Sequence, residues 1–194
     1  MKNLGLFVGL GIIVLLVLWG VGKYNGLVTK DEAINGQWAQ VEAAYQRRAD
    51  LIPNLVSTVK GYADFEQETL TKVIEARGKA TSVNIDANNL SPEAIGRFQQ
   101  AQDGLSGALS RLLVTIERYP DLKANQNFRD LQAELTNTEN KIAFERKKFN
   151  ESVKTFNGGI RKFPTNLIAG PFGFEKRGYF ESEEGSEKAP EVSF

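Results

Sequence analysis

The feature that most constrains this chain is an uncharged apolar run near its beginning, residues 4–22, which reads LGLFVGLGIIVLLVLWGVG. As a helix that rises 1.5 Å per residue, this run extends roughly 28 Å, about the thickness of the hydrocarbon core of a bilayer. Trp19 and Tyr24 lie at its end, where amphipathic aromatic side chains prefer the membrane–water interface. The run predicts a transmembrane helix, and we assign residues 1–23 to a membrane anchor that contacts lipid.

A cleaved signal peptide is the competing interpretation of this run. Lys2 gives it a minimal basic start, and Gly20-Val21-Gly22 is a small-x-small triplet that a signal peptidase could accept. The run is longer than the usual signal core of about 7–15 residues, which favours an uncleaved anchor. Gly5 and Gly9 form a GxxxG pattern that would let two such helices approach closely, although glycine is common in membrane helices anyway.

Composition argues against most kinds of catalytic site. The chain has no Cys and no His, which excludes thiolate metal sites, disulfides and every His-dependent triad. Its 24 basic and 24 acidic residues balance, so no strong general attraction to nucleic acid or to anionic lipid is expected. No pattern supports carboxylate, lysine or serine–lysine chemistry. We therefore expect a protein that is not an enzyme, with no cofactor, no metal and no nucleic-acid partner.

Apolar residues recur every seven positions from about residue 28 to residue 163, which predicts long helices with left-handed heptad packing. The first helix is expected to run from about residue 28 to about residue 80. Its two rows are Ile34, Val41, Leu55, Tyr62 and Trp38, Tyr45, Ile52, Val59, Val73.

A second and a third helix are predicted beyond the polar link at residues 81–90. The second opens at Ser91-Pro92-Glu93, a capping residue, a first-turn proline and an acid, and Pro120 is expected to end it. Its rows are Phe98, Leu105, Leu112, Tyr119 and Ile95, Leu109, Ile116. The main row of the third is Phe128, Leu135, Ile142, Phe149, Phe156, Phe163.

These patterns predict an all-α fold, an N-terminal transmembrane helix followed by an antiparallel up-and-down bundle of three to four long helices over residues 24–163. The expected helix lengths leave one ambiguity. The third helix could turn upward to complete the bundle, or continue down toward the membrane. We favour the upward course.

Several polar residues interrupt the apolar rows. Arg48 is expected either to extend its charged head to solvent or to pair with a carboxylate of the third helix (Glu134, Glu139 or Glu145). Gln102 is expected to lie near Glu66 and Thr69 in a polar layer that fixes register. An active site is the less favoured interpretation of that layer.

Two further features concern helix shape and surface. Pro53 lies within an uninterrupted row, which predicts a kinked helix rather than two helices. Glu139 and Arg146, with Gln132, form a polar flank seven residues apart, expected to be solvated or ion-paired unless another chain covers it.

Residues 164–194 form a tail that is first aromatic and then acidic. Its rings are Phe172, Phe174, Tyr179 and Phe180. We expect these rings to cap their own bundle, because aromatic side chains bury large areas. Docking on a neighbouring subunit or on the bilayer surface is the alternative.

The chain resembles the LemA family in three stretches, residues 24–66, 118–150 and 160–180. The most specific motifs are YQRRADLIPNLV and TENKIA. The resemblance covers nearly all of the chain after the apolar run. It implies a bacterial membrane protein, anchored at its N-terminus, with an up-and-down bundle usually described as four helices. The family pattern designates no catalytic residues, and its molecular function is not established.

One departure from the family pattern bears on anchoring and location. Many relatives carry a lipoprotein cysteine just before the Tyr-Asn motif, whereas Gly22-Lys23 precede Tyr24-Asn25 here, so the apolar run itself must anchor the chain. Kinship with lipoproteins favours a single-pass protein of the bacterial plasma (inner) membrane with its helical domain on the extracytoplasmic side. A cytoplasmic domain, assigned to other family members, stays open.

The favoured function is a non-catalytic helical scaffold of the cell envelope, forming a homo-oligomer or binding an envelope protein partner. The alternative is a protein that shapes or tethers membranes through its bundle and tail. An enzyme that uses carboxylates such as Glu66 or Glu139 would require them in a solvent-reachable cleft with raised pKa.

Overall fold

The structure, a computed structural model, describes residues 2–61 and 66–181. These residues form helices joined by short connections, with no strand among them, so the all-α prediction is confirmed. The six helices are α1 (Lys2–Lys60), α2 (Gln67–Ser82), α3 (Pro92–Ile116), α4 (Pro120–Ala124), α5 (Gln126–Arg161) and α6 (Asn166–Ala169).

The chain divides into two compact units, each built from separate stretches of sequence. The anchor unit comprises Met1–Tyr45 and Thr138–Arg177, and the bundle unit comprises Gln46–Asn137 and Gly178–Phe194. Helices α1 and α5 contribute to both units. The division into residues 1–23, 24–163 and 164–194 stays a prediction.

The first predicted helix is in fact two helices. Helix α1 ends at Lys60, and α2 begins at Gln67, while Tyr62 lies outside the described residues. The prediction of one continuous helix to about residue 80 is therefore wrong. Helix α2 folds back on α1, where the Arg77 side chain donates from Nε to the Ala49 carbonyl oxygen at 2.7 Å.

Pro53 lies inside α1 and is exposed, and the helix continues through it. The missing backbone N–H of a proline deprives the preceding turn of one hydrogen bond, but it does not end the helix here. One helix through this position, rather than two, agrees with the prediction, and the kink itself stays a prediction.

The bundle unit is an up-and-down arrangement of helical segments from α1, α2, α3 and α5. Gln102, near the middle of α3, donates to the carbonyl oxygen of Ala80, late in α2, at 3.2 Å. Arg118, just after α3, pairs at 2.8 Å with Glu66, just before α2, so these helices run antiparallel. The buried core is Ile52, Leu55, Val56, Val59, Leu70, Val73, Ala80, Leu105, Leu109, Leu112, Ile116, Leu122, Phe128 and Leu135.

The start of α3 follows the sequence prediction and its end does not. The Ser91 side chain accepts a hydrogen bond from the Ala94 N–H at 3.2 Å, and Pro92 occupies the first turn. Helix α3 ends at Ile116, however, and Pro120 begins α4 instead of ending α3. A proline fits a first helical turn because its missing N–H would be unpaired there anyway.

In the anchor unit α5 returns along α1 toward the apolar run. The rings of Trp38 and Phe149 lie 5.7 Å apart between centroids, and a Cβ on Gly159 would contact Leu27 at 3.8 Å. Residue numbers on α5 thus rise as those on α1 fall, so the two helices are antiparallel. The favoured upward course of the third predicted helix is wrong, because α2 adds a reversal that the sequence pattern concealed.

The apolar run lies within α1. Of the described helices, α1 is the one long and apolar enough to cross a membrane, with a mean hydropathy of 2.0 in its most apolar 18-residue window. None of that window is buried within the chain, as expected of a helix whose surroundings are lipid. The chain is therefore a helical protein with an N-terminal helix suited to membrane anchoring.

Candidate functional site

Arg48 of α1 is the most buried charged side chain of the described residues, with 1% of its surface exposed. Its guanidinium donates to Ser106 Oγ at 2.8 Å, to Gln102 Oε1 at 2.7 Å and to the Gln102 carbonyl oxygen at 3.2 Å. Of the two alternatives left open for Arg48, the head that extends to solvent does not agree with this burial. Of the proposed partners, Glu134 pairs with Arg47. Arg48 therefore ties α1 to α3 inside the bundle unit.

Gln102 and Glu66 do not share a polar layer. Gln102 is buried beside Arg48 and the end of α2, whereas Glu66 precedes the first residue of α2 and is half exposed. The antiparallel course of α2 and α3 places these two residues at opposite ends of the hairpin. Glu66 is consequently part of a surface ion pair, a type that contributes little to stability.

Two carboxylates of helix α5, Glu139 and Glu145, lie in the anchor unit. Glu139 and Arg146 are both half-buried on α5. Glu145 is buried, with Oε1 2.6 Å from Lys141 Nζ and Oε2 accepting from Gln37 Nε2 at 2.5 Å. The Lys141 hydrogen bond, against the opposing effect of burial, holds the pKa of Glu145 below its ordinary value.

One carboxyl outside the apolar run has a raised pKa. Partial burial, opposed by the Trp38 side chain, raises the pKa of Glu42. Within residues 2–61 and 66–181, no three His, Cys, Asp or Glu side chains lie close enough to hold a metal ion.

A solvent-open groove lies between α2 and α3 of the bundle unit, with a volume of about 1250 Å³. Small residues line its length: Ala76, Ala101, Gly104, Gly107 and Ala108. Charged residues line it as well: Lys72, Glu75, Lys79, Arg97, Asp103 and Arg111. A Cβ added to Gly104 or Gly107 would meet no atom within 4 Å. The groove is thus open for another backbone to approach α3 closely.

In the anchor unit two polar contacts hold the chain after α6. Asn157 of α5, which is 7% exposed, donates to the Arg177 carbonyl oxygen at 2.9 Å and accepts from the Arg177 N–H at 3.0 Å. The Arg177 guanidinium donates to both carboxylate oxygens of Asp31 at 2.9 Å. Heptad periodicity does not identify Asn157 or Arg177 as contact residues. The position of Asn157 next to Phe156, beside an apolar row, could have predicted a buried amide that needs a hydrogen-bond partner.

In the bundle unit a second amide makes the same kind of contact. Gln99 donates to the Glu181 carbonyl oxygen at 3.0 Å and accepts from the Glu181 N–H at 2.9 Å. Beside it, the Gly178 N–H donates to the Leu90 carbonyl oxygen at 2.8 Å, and a Cβ on Gly178 would lie 2.8 Å from Pro92 Cα. The chain passes so close to α3 here that glycine is required.

The aromatic tail is divided between buried and exposed rings. Phe180 is buried against Phe98, and Phe174 is half-buried against Tyr24 and Phe156. Phe172 and Tyr179 are exposed. The expectation that the rings cap their own bundle therefore holds for Phe174 and Phe180 only.

Three large apolar side chains in residues 163–172, just after the end of α5, are exposed and are called the apolar patch below. Phe163 is 80% exposed, Leu167 63% and Phe172 62%. Helix α5 ends at Arg161, so Phe163 is not the last member of the buried row that the sequence predicted. In the apolar run, a Cβ added to Gly5 or Gly9 would meet no atom of the described residues within 4 Å.

Comparison with known proteins identifies the family and several relatives. The chain matches the LemA family over residues 37–194. It is 31% identical over 149 residues to Protein LemA of Metamycoplasma hominis, covering 77% of this chain and 64% of that protein. It is 27% identical over 175 residues to Magnetosome protein MamQ of Magnetospirillum gryphiswaldense, covering 81% of this chain and 64% of that protein.

A further relative is Magnetosome protein MamQ 1 of Paramagnetospirillum magneticum, 26% identical over 178 residues, which cover 83% of this chain and 65% of that protein. The chain thus spans slightly less than two thirds of the length of the relatives it matches. None of their names denotes an enzymatic activity. Because the family match covers most of the chain, this protein belongs to the LemA family.

Proposed function

We propose that this protein is a membrane-anchored, non-catalytic helical scaffold of the bacterial cell envelope, which self-associates by receiving a helix in the α2–α3 groove. The observation that carries the proposal is the open groove itself, about 1250 Å³ in volume and lined by small residues. Helices dock into grooves of this kind through one apolar face, and small residues allow the two backbones to approach closely.

The charges of the groove favour an acidic partner surface. Four cations, Lys72, Lys79, Arg97 and Arg111, line it together with two acids, Glu75 and Asp103. Complementary charge guides the orientation of a docked helix and rejects helices of the wrong sign. An envelope protein with an acidic helical face would fit the same surface.

Two glycines of α3 make a matched test. Gly96 and Gly104 are both exposed, and a Cβ at either would meet no atom within 4 Å, but only Gly104 lines the groove. Native mass spectrometry of the full-length chain in detergent should show oligomers that Gly104→Leu dissociates and Gly96→Leu preserves. Monomers alone in the unsubstituted protein would refute self-association, and equal oligomers in both variants would refute the groove as its site.

We also propose that the helical domain faces the extracytoplasmic side of the plasma membrane. The support is kinship with lipoproteins together with the N-terminal anchor. Protease added to intact spheroplasts should then cleave the domain, whereas protection until the cells are lysed would contradict this orientation.

The second candidate function is membrane shaping or tethering, which the exposed Phe163, Leu167 and Phe172 favour. Large exposed apolar side chains on one segment mark a surface that binds protein or lipid. Liposomes that carry the full-length chain should then cluster or become tubular. Liposomes that stay separate and round would contradict this function.

A further inference from the structure

We propose that residues 163–172 form a second membrane-contacting element, which lies in the bilayer interface beside the end of the transmembrane helix. The inference rests on the anchoring by α1 that the proposed function assumes. It goes beyond that function because it assigns a lipid contact to a segment more than 140 positions away from the apolar run in sequence.

Helix α6 lies beside the end of the apolar run in the anchor unit. Ile168 Cδ1 is 4.0 Å from the position that a Cβ on Gly20 would occupy. Gly20 belongs to the last turn of the apolar run, two residues before its end at Gly22. At 1.5 Å per residue, Gly20 is about 3 Å inside that end. Helix α6 is therefore level with the edge of the hydrocarbon that the run would span.

The aromatic contacts also place residue 172 near the end of the apolar run, at the depth of the membrane–water interface. The ring of Phe172 lies 5.2 Å from that of Tyr24, measured between centroids, and Tyr24 is two residues beyond the apolar run. Tyrosine and tryptophan concentrate at the membrane–water interface because one end of each ring is apolar and the other polar. Tyr24 and Trp19 therefore place the interface beside the segment that carries Phe172.

The side chains of residues 163–172 suit that environment. Phe163, Leu167 and Phe172 are the exposed apolar side chains, and a water-exposed patch of this kind would be unfavourable. Lys23, at the end of the apolar run, and Arg161 and Lys162, just before the element, are exposed. Cations can extend to lipid headgroups while their stems and the neighbouring apolar groups remain in the acyl region.

Continuity with the apolar run identifies lipid as the occupant of this patch. The side chains of Val17 and Leu18 on the run are exposed in the chain, since their partner is the bilayer. Ile168, within residues 163–172, lies beside Gly20 of that run, 4.0 Å from the position of a Cβ there. A protein partner would have to displace lipid from this surface before it could bind there.

The element is held at both ends. Helix α5, packed along α1, leads into it, and the Asn157–Arg177 and Arg177–Asp31 contacts fix the chain that leaves it. A fixed element keeps its apolar side chains at a constant depth, which a freely moving loop would not do. Its depth is consequently a measurable property of the folded protein.

The absence of cysteine from the sequence permits a direct test, because any introduced cysteine is the sole labelling site. Leu167→Cys and Phe163→Cys report the proposed element, and Ile13→Cys reports the middle of the apolar run. Phe144→Cys is the matched aqueous control, since Phe144 is an exposed phenylalanine on α5 of the same unit. Each full-length variant carries an environment-sensitive fluorophore in nanodiscs that contain anionic lipid, and is exposed to lipid-attached spin labels or to aqueous iodide.

We expect lipid-attached quenchers to reduce the fluorescence at positions 13, 163 and 167, and iodide to reduce it at position 144. Iodide quenching at 163 and 167 equal to that at 144, with position 13 still in lipid, would overturn this inference and leave the anchoring intact. Iodide quenching at position 13 as well would overturn both the anchoring and the element. Substitution at these exposed positions removes no buried contact, so folding is expected to survive.

Discussion

The contact between Asn157 and Arg177 gives the sharpest test of how the C-terminal chain is held. Leucine at position 157 has the same branching at Cγ as asparagine but removes both hydrogen bonds to the Arg177 backbone, at 2.9 and 3.0 Å. A buried polar group that loses its partner costs about 1–3 kcal/mol, so two groups set a range of about 2–6 kcal/mol. Arg177 is partly exposed, and water can replace some of the loss. We therefore expect a loss of about 2 kcal/mol, at the lower end of that range.

Hydrogen exchange at the Arg177 amide measures this loss locally. A change of 1.4 kcal/mol corresponds to a factor of ten, so about 2 kcal/mol predicts roughly 30-fold faster exchange in Asn157→Leu. Gln99→Leu is the matched control, because Gln99 makes the same pair of bonds to Glu181. It should accelerate exchange at Glu181 and leave Arg177 unchanged.

The prediction fails if exchange at Arg177 is the same in Asn157→Leu as in the unsubstituted protein. The bidentate pair between Arg177 and Asp31 would then be sufficient to hold the segment. Asp31→Asn separates the two contacts, since it weakens the ion pair and keeps the Asn157 bonds. An effect in Asp31→Asn alone would assign the holding role to charge rather than to the amide.

Two further predictions concern stability. Lys141 holds the pKa of Glu145 below its ordinary value of 4.5, so this pair stabilises the fold above that pH and loses its effect as pH falls through the lower folded pKa. The free energy of unfolding in urea should therefore fall less between neutral and acidic pH in Glu145→Gln than in the unsubstituted protein. An equal fall in both proteins would contradict this role of the pair. Proline inside a helix costs about 3 kcal/mol, and Pro53 is exposed, so Pro53→Ala should raise the free energy of unfolding in urea by up to that amount. A lower free energy of unfolding would show that a bend at Pro53 is needed for packing.

The apolar rows were the reliable part of the sequence pattern. Ile34, Val41 and Leu55 are fully buried, as are Trp38 and Ile52. Burial follows from the pattern because a helix with one apolar stripe must cover it. The cap at Ser91 was equally predictable, since it depends on three adjacent residues. Supercoil handedness, which the period of seven also predicts, stays a prediction.

The division between α1 and α2 could not be read from the same rows. Val59 and Val73 differ by 14 positions, which is two heptads, so the row remains in phase whether or not the intervening residues are helical. Periodicity records which face of a helix is apolar and not where the helix reverses. One missed reversal then inverted the expected direction of the following helices, and α5 was predicted to run the wrong way.

The aromatic tail shows why composition alone could not decide between a cap and a docking surface. Gly173, with a φ of 75°, reverses the chain between the exposed Phe172 and the half-buried Phe174. Tyr179 and Phe180 are neighbours in a segment that is neither helix nor strand, and Tyr179 is exposed whereas Phe180 is buried. A single segment therefore carries rings of both kinds, with Phe174 and Phe180 packed against the chain and Phe172 exposed.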